Sequence, residues 1–337
     1  MRLAALFLLW IGALPCALAQ SYAGREDVRR FVTEMVERHG FARGELTSLF
    51  SKVRPQASVL RAIAAPAESA QRSWLAYRAR FVNAARIEAG VQFYQLHQQT
   101  LERAAKIYGV PEEIIVAIIG VETVYGRNTG AYRVIDALST LAFDYPPRAD
   151  FFRGELEHYL LHARQESIDL LGLKGSYAGA IGIPQFMPGS YRRYAVDFDG
   201  DGKRDLSRSV IDAVGSVANF LREHGWQRAQ PIAFSAQVTG DRFRTLIASG
   251  IKPAYRGTDL ASFEVTVEQP FDRDLGVVLI ELESPGQSPE YRVGLENFYV
   301  LTRYNRSSFY ALSVFDLAKE IGAVLEGRRG PGTSVRQ

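Results

Sequence analysis

The chain has 337 residues, 47% of them hydrophobic, a formal net charge of +3 and a single cysteine. This length and apolar content allow a hydrophobic core with a subsidiary domain. The near balance of acidic and basic residues, with no basic block, argues against a nucleic-acid-binding protein. An isoelectric point of about 8.9 is compatible with an anionic polymer as ligand.

The N-terminus has the pattern of an export signal. A single arginine precedes an apolar run over residues 3–14, which is too short for a stable membrane anchor, and Ala17-Leu18-Ala19 matches a small-x-small cleavage site. We therefore expect a periplasmic protein, cleaved near Ala19 and without a stable anchor. Ala13-Leu14-Pro15 before Cys16 fits a lipoprotein poorly. Cleavage removes the cysteine and leaves 39 basic against 37 acidic residues, so the mature chain can form no disulfide.

The first two thirds of the chain predict helices joined by short links. Apolar residues recur at helical spacing, and glycines at positions 40 and 109 are typical helix stops. The predicted helices cover residues 25–38, 91–108, 133–141, 150–165 and 211–223.

The composition changes between residues 230 and 305. Residues 263–267, 276–282 and 291–300 are β-branched or alternating stretches separated by Pro and Gly, which predict a small sheet. A helical pattern returns over residues 309–325. The predicted fold is therefore mainly α, with a small β-containing insertion and a C-terminal helix that packs back on the helical body.

Glu122 is the strongest candidate for chemistry. It follows a run, residues 114–121, that is apolar nearly all round, and Pro111 suits the start of this helix. Burial without a cation raises the pKa of a carboxyl group, which is how enzymes keep a general acid protonated at neutral pH. The alternative is a structural glutamate that is paired with Arg127 or Arg133 or hydrogen-bonded to a backbone group.

A glycine-rich segment, residues 174–188, has a composition that lets the backbone approach a ligand closely. Ser176 and Gln185 offer hydrogen bonds without charge. The segment lacks the glycine-lysine or GxGxxG spacing of a nucleotide loop, so it is not expected to bind phosphate. A plain glycine-rich turn is the alternative.

An acidic loop, residues 197–205, carries carboxylates at alternate positions and a glycine at the sixth. This matches the first nine positions of an EF-hand loop, in which oxygen ligands surround Ca²⁺. Arg208 stands at the twelfth position, where a bidentate glutamate is expected, and Asp212 lies beyond the normal spacing as a substitute. We expect a cation loop of altered affinity; a solvated Asp/Gly turn is the alternative.

Aromatic residues alternate with amide and hydroxyl groups over residues 297–306. Such a surface suits the apolar faces and hydroxyl rims of sugars. Ordinary core packing in a strand is the alternative.

Taken in order, these segments resemble the MltB-type lytic transglycosylases and their soluble relatives, glycoside hydrolase family 103. The resemblance runs from about Tyr77 to Leu317. The matching segments are residues 120–123, 175–176, 178–180, 185–188, 194–198, 215–219, 297–299 and 302–305.

The resemblance implies a lysozyme-like helical catalytic core with an additional helical region and a small β domain. The implied division is a signal peptide (1–19), an N-terminal helical region (20–110), the catalytic core with the EF-hand-like loop (111–228), the β-containing domain (229–306) and the C-terminal helix (307–330).

The resemblance also implies cleavage of the β-1,4 bond between N-acetylmuramic acid and N-acetylglucosamine in peptidoglycan, with release of a 1,6-anhydromuramoyl end. Glu122 is then the sole acid/base. The implied substrate contacts are Tyr77, Arg148, Ser176, Gln185, Tyr299, Tyr304 and Asn305. The implied metal ligands are Asp197, Asp199, Asp201, Lys203 through its carbonyl, and Asp205.

No cofactor is needed for this chemistry, although the EF-hand-like loop could hold a structural Ca²⁺ or Na⁺. The expected partners are peptidoglycan glycan strands, with an association with the cell-wall synthesis machinery left open. The absence of an obvious carboxylate partner for Glu122 favours ring closure within the substrate over attack by water. Two alternatives remain: a hydrolytic muramidase, which requires a second positioned carboxylate, and a non-catalytic peptidoglycan-binding protein, which has no need for Glu122.

Overall fold

The structure is a computed structural model that describes residues 21–64 and 73–329. The predicted signal peptide and Cys16 lie outside these residues. Within them, no helix combines the length and the apolar character needed to cross a membrane.

The N-terminal part of the described chain is helical. Its helices are α1 (Glu26–His39), α2 (Arg43–Lys52), α3 (Ala57–Ala64), α4 (Trp74–Phe81), α5 (Ala84–Leu96) and α6 (Gln98–Tyr108). The prediction of a single helix over residues 91–108 is wrong, because the helical conformation is interrupted at His97, between α5 and α6. Tyr94 and Leu101, on either side of the break, are buried in the same core. The pattern of apolar residues alone therefore does not reveal the interruption of the helix at His97.

The central part contains five helices and one short two-stranded ribbon. The helices are α7 (Glu112–Thr123), α8 (Val134–Asp144), α9 (Ala149–Glu166), α10 (Pro188–Tyr194) and α11 (Val210–Glu223). The antiparallel strands β1 (Tyr132–Arg133) and β2 (Lys174–Gly175) join the start of α8 to the glycine-rich segment.

The small sheet has five strands, all paired antiparallel in the order β4-β6-β7-β3-β5. The strands are β3 (Ala233–Val238), β4 (Tyr255–Arg256), β5 (Val265–Thr266), β6 (Gly276–Leu282) and β7 (Glu290–Gly294), with α12 (Arg244–Ala248) between β3 and β4. Side chains of a strand alternate between its two faces. In β6, Val278 and Ile280 therefore join the helical core, while Val277 and Leu279 join a second core under the sheet.

The strand predicted over residues 291–300 is wrong in its second half. Strand β7 ends at Gly294, and the chain continues as α13 (Glu296–Tyr304) and α14 (Ser308–Arg329). Short apolar runs fit a helix or a strand equally well. The buried amide of Asn297 accepts from the Gln227 backbone N–H at 2.8 Å and donates to the Gln230 carbonyl at 2.9 Å, which fixes the start of the helix.

Helix α7 lies at the centre of the helical body, in contact with α5, α6, α11 and α14. Residues 114–121 are all buried, which confirms the prediction of a helix without a solvent face. Helix α14 packs against α4, α5 and α7. The predicted fold class, a mainly helical body with a small β part, is confirmed.

Candidate active site

Glu122 is the last residue but one of α7, at the point where the chain leaves the core. The helix ends in a left-handed cap at Val124, with φ 53° and ψ 49°. The Val124 N–H donates to the Gly120 carbonyl, and the Tyr125 N–H donates to the Ile119 carbonyl. Glu122 is partly accessible, whereas its neighbours Val121 and Thr123 are buried. The carboxyl group is thus presented from the end of an apolar helix, at the border of the core.

Three tyrosines from three other elements surround this carboxyl group. Tyr310, in the first turn of α14, donates a hydrogen bond of 2.6 Å from its hydroxyl to Oε1 of Glu122. Burial raises the pKa of the hydroxyls of Tyr77 in α4 and Tyr304 in α13, and the charge of Glu122 raises it further. These hydroxyls therefore stay protonated and can act as donors.

Burial raises the pKa of Glu122 to about 7. The hydrogen bond from Tyr310 acts in the opposite direction, because it stabilises the carboxylate. A carboxyl group with this pKa holds its proton in a large fraction of molecules at neutral pH and can also accept one back.

The alternative pairing of Glu122 with Arg133 is excluded. The guanidinium of Arg133 pairs with Asp136, with 2.7 Å between Nε and Oδ2, and donates to the Lys52 carbonyl. Arg127 is exposed on the turn that follows α7.

The glycine-rich segment folds back on itself beside this site. Ser176 Oγ accepts from the Ala180 N–H at 3.0 Å, and Gln185 Nε2 donates to the carbonyls of Gly182 at 2.8 Å and Thr129 at 3.1 Å. A Cβ on Gly175 would overlap the Ala180 carbonyl. The close contact between the backbone at residues 175 and 180 therefore requires glycine at position 175, independently of any ligand.

Tyr304 connects the glycine-rich segment to Glu122. Its hydroxyl donates to the Pro184 carbonyl at 2.7 Å, and its ring lies parallel to that of Tyr310, with the centroids 6.3 Å apart and the planes 14° apart. Gln185, the residue after Pro184, has a left-handed backbone with φ 52°. The structure thus brings Tyr304 and the segment carrying Gln185 up to the carboxyl group.

The other predicted substrate contacts are spread more widely. The ring of Tyr77 packs on Phe309, with 5.6 Å between centroids. Arg148 is exposed, with its guanidinium carbon 4.5 Å from the centroid of the Phe151 ring. Tyr299 lies under the guanidinium of Arg303, and Asn305 is exposed at the end of α13. The substrate-binding roles of all seven residues stay predictions: Tyr77, Arg148, Ser176, Gln185, Tyr299, Tyr304 and Asn305.

Sequence reasoning missed Tyr310, the one direct hydrogen-bond partner of Glu122 that the described residues provide. Tyr310 and Glu122 are 188 positions apart. The available signal was a tyrosine in the first turn of a predicted apolar helix, just after the aromatic residues 297–306. A buried tyrosine hydroxyl needs a partner, but a sequence does not say which one.

The acidic loop is tightly wound around its own carboxylates. Asp197 accepts backbone N–H groups at positions 200, 201 and 202, and Asp199 Oδ2 accepts from the Ser209 hydroxyl at 2.9 Å. Gly202, at the sixth position, has φ 86°, the left-handed conformation that the sharp turn of an EF-hand needs.

Asp212 joins this loop from the first turn of α11. Its carboxylate is buried and accepts N–H groups of Phe198 and Asp205, both at 2.8 Å. One carboxylate oxygen each from Asp197, Asp199 and Asp212 lie within 4.8 Å of one another. Three converging oxygens are a suitable donor set for a hard cation such as Ca²⁺. The residues present therefore fit a cation.

A mainly helical body with a small antiparallel sheet, and with a glutamic acid of raised pKa at the end of a buried helix, is typical of a lysozyme-like enzyme. The chain matches the family described as Transglycosylase SLT domain over residues 23–319. It therefore belongs to this family of lytic transglycosylases.

Characterised relatives cover most of the chain. Membrane-bound lytic murein transglycosylase B of Escherichia coli (strain K12) is 42% identical over 310 residues, which is 89% of this chain and 84% of that protein. Soluble lytic transglycosylase SltB1 of Pseudomonas aeruginosa has a crystal structure with a TM-score of 0.84 and 48% identity, covering 89% of this chain and 99% of that one. The resemblance inferred from the motifs is confirmed.

Solved relatives also show which ligands those proteins bind. The lytic transglycosylase Slt35 of Escherichia coli, with 41% identity and a TM-score of 0.78 over 90% of this chain and 93% of that one, has a structure in complex with calcium. SltB3 of Pseudomonas aeruginosa, with 29% identity and a TM-score of 0.78 over 90% of this chain and 80% of that one, has a structure in complex with NAG-anhNAM-pentapeptide.

Proposed function

We propose that the protein cleaves the β-1,4 bond between N-acetylmuramic acid and N-acetylglucosamine in peptidoglycan and leaves 1,6-anhydromuramoyl ends. The observation that carries this proposal is the raised pKa of Glu122, which burial causes against the opposing effect of the hydrogen bond from Tyr310. No other carboxylate among the described residues contributes to this pKa shift. The proposal therefore assigns both roles to Glu122, which serves first as acid and then as base.

In the first step, protonated Glu122 gives its proton to the glycosidic oxygen as the C1–O bond breaks and the glucosamine unit leaves. The N-acetyl group of the muramoyl sugar assists at C1 from within the substrate. Tyr310 donates to Oε1 and stabilises the carboxylate that forms. The raised pKa favours this step, because the acid begins protonated.

In the second step, the Glu122 carboxylate accepts the proton of the C6 hydroxyl as that oxygen closes on C1. The attacking group belongs to the same sugar, so ring closure has the advantage of proximity over attack by water. This step restores protonated Glu122. A hydrolytic muramidase would need a second carboxylate to hold a water or to attack C1.

The direct test uses purified peptidoglycan sacculi and analysis of the released ends. Anhydro ends from the native protein, lost in Glu122→Gln, support the proposal. Reducing ends would support the hydrolytic alternative, and failure to release any fragment would support a non-catalytic binding protein.

The pH dependence of the reaction should report Glu122. Activity requires the protonated acid, so kcat/KM should fall as the pH rises through about 7, the pKa of Glu122. Tyr310→Phe removes the hydrogen bond that stabilises the carboxylate, so this limb should move to higher pH. Measurements of kcat/KM between pH 5 and 9 locate this limb in the native protein and in Tyr310→Phe.

The control for this prediction is Tyr159→Phe, which removes a buried hydroxyl that donates to the Leu170 carbonyl at 3.1 Å. That hydroxyl does not affect the pKa of Glu122, so the pH at which kcat/KM falls should be the same as in the native protein. A Tyr310→Phe profile identical to the native one would contradict the assigned role of Tyr310.

We further propose that the acidic loop holds a structural Ca²⁺. The converging carboxylates of Asp197, Asp199 and Asp212 and the left-handed Gly202 support it. Asp201, Asp205 and the Lys203 carbonyl stay predicted ligands from the EF-hand spacing. The ion would stabilise the fold and takes no part in the acid/base steps.

Calcium at millimolar concentration should raise the Tm of the protein by ~5 °C, because a ligand bound only to the folded state stabilises it. Asp199→Asn should remove the shift or require ~tenfold more calcium. Asp241→Asn, at an exposed carboxylate that pairs with Arg244, should keep the native response. Thermal melts with and without EDTA measure the calcium-dependent change in Tm. A native Tm that does not change with calcium would contradict the proposed site.

The remaining expectations stand as proposals. We expect the protein to bind peptidoglycan strands in the periplasm. We also retain the division into four units: a helical region (20–110), a catalytic core (111–228), a β-containing domain (229–306) and a C-terminal helix (307–330). The β-strands and the second hydrophobic core, which fall between residues 233 and 294, support the third of these units.

A further inference from the structure

Thr123, the residue after Glu122, is fully buried and makes hydrogen bonds in two directions. Its hydroxyl donates to the Ile183 carbonyl at 2.8 Å and accepts from the Gly126 N–H at 3.0 Å. The Ile119 carbonyl, one turn back in α7, lies 3.3 Å from the same hydroxyl. The hydroxyl therefore joins the end of α7 both to the turn that follows it and to the glycine-rich segment.

The turn after Glu122 needs such support. Val124, Tyr125 and Gly126 have φ angles of 53°, 61° and 83°, three consecutive left-handed residues. A β-branched residue such as Val124 rarely adopts this conformation, which is strained. The bond from Gly126 N–H to Thr123 closes the turn, and the Tyr125 hydroxyl anchors it to the Arg86 carbonyl at 2.8 Å.

The other bond of Thr123 leads directly to the groups around the carboxyl. Ile183 precedes Pro184, whose carbonyl accepts from Tyr304, and Gln185 follows. The ring of Tyr304 lies parallel to that of Tyr310, whose hydroxyl donates to Glu122. Since Thr123 and Glu122 are adjacent, a shift of residues 182–186 relative to α7 would change the surroundings of the carboxyl group.

We propose that Thr123 is a positioning residue for the reaction: its hydroxyl holds residues 182–186 against the end of α7 and so keeps Tyr304 and the Glu122 carboxyl in register. Thr123 does not touch the reacting atoms. This inference rests on the proposed function, in which Glu122 is the acid/base.

Loss of the hydroxyl leaves a buried carbonyl at Ile183 and a partly buried N–H at Gly126 without this partner, which favours a displaced segment that admits water. Water near the carboxyl lowers the pKa of Glu122 toward the ordinary glutamate value. The groups facing this carboxyl are the hydroxyls of Tyr77, Tyr304 and Tyr310, and none of them carries a charge that would hide the change.

The test compares Thr123→Val with a matched control, Thr140→Val. Thr140 is also fully buried, donates to the carbonyl four residues back, at Asp136, and accepts from the Gln56 N–H at 3.0 Å, but it joins α8 to the start of α3. Both substitutions keep the side-chain shape and remove one hydroxyl. Both should lower Tm by a similar amount.

The readouts are kcat and KM on sacculi, and the pKa of Glu122 in the free protein from the ¹³C shift of its carboxyl group. We expect Thr123→Val to lower kcat by about 10- to 100-fold, as for a small misplacement of a catalytic group, and to lower the pKa of Glu122. Thr123→Ser should restore both, and Thr140→Val should change neither.

Equal losses of Tm with native kcat and native Glu122 pKa in Thr123→Val would overturn the proposal and leave Thr123 a structural residue. If Thr123→Val does not fold, Thr123→Cys, with its weaker hydrogen bonds, replaces it under the same criteria. The carboxyl titration needs no substrate, so it decides on Thr123 even if the native protein releases no anhydro product, an outcome that would refute the proposed function alone.

Discussion

Glu122→Gln should lower the release of soluble fragments from peptidoglycan sacculi by at least ~10³-fold. The substitution keeps the shape and the hydrogen bond to Tyr310 but removes the proton that the first step transfers and the base that the second step needs. Because one group serves both steps, no other residue of the proposed mechanism can replace it. Turbidity loss of a sacculus suspension and chromatography of the soluble fraction measure the effect.

A matched control lies at the other end of the same helix. Glu113→Gln, in the first turn of α7, makes the same chemical change away from the tyrosines and should keep activity within about twofold of the native protein. Substantial activity in Glu122→Gln, or an equal loss in Glu113→Gln, would contradict the assignment of Glu122.

The stability of Glu122→Gln should also differ from that of the native protein in a pH-dependent way. The folded-state pKa of Glu122, about 7, lies above its ordinary value of 4.5, so folding favours the protonated form. This contribution is complete below pH 4.5 and is lost as the pH rises to about 7. The Tm of the glutamine variant should therefore exceed the native Tm at pH 8 and approach it at pH 4.5.

Gly130→Ala should have the second largest effect, on both folding and activity. Gly130 has φ 100°, and a Cβ there would overlap the carbonyl of Gly175 and crowd the backbone N–H of Ser176. Backbone cannot yield as a flexible side chain does, so β1 and the glycine-rich segment must separate. We expect a loss of about 3 kcal/mol or more in the free energy of unfolding and a fall in activity of at least tenfold.

Gly225→Ala separates the two causes of this effect. Gly225 has nearly the same φ, 96°, but a Cβ there meets no atom within 4 Å. It should show only the conformational cost of about 1–2 kcal/mol, with native kcat. Urea denaturation of the three proteins provides the comparison, and equal losses in the two variants would show that the contact of residue 130 with residues 175–176 is unimportant.

The sequence predicts the position of the acid well because that feature is local. Residues 114–121 are apolar without periodicity, and Glu122 directly follows them, so burial and a raised pKa are both expected from one segment. The left-handed Gly202 of the acidic loop is predictable for the same reason, since EF-hand spacing specifies glycine at one position.

The surroundings of the acid depend on contacts between distant segments, and here sequence reasoning fell short. Tyr310 reaches Glu122 across 188 positions, and the hydroxyl of Thr123 reaches Ile183 across 60. Neither pairing leaves a periodic pattern. Residues 295–300 were misassigned to a strand because a short apolar run is compatible with either period, and the helix is selected by the buried amide of Asn297.

The central claim is that one carboxyl group both breaks the glycosidic bond and closes the anhydro ring. Mass spectrometry of all new glycan ends, released from borohydride-reduced sacculi by the native protein, tests it most directly. The account predicts 1,6-anhydromuramoyl ends throughout, each lighter by one water than the hydrolysed sugar, and none from Glu122→Gln. New reducing muramic acid ends as the main product would contradict it.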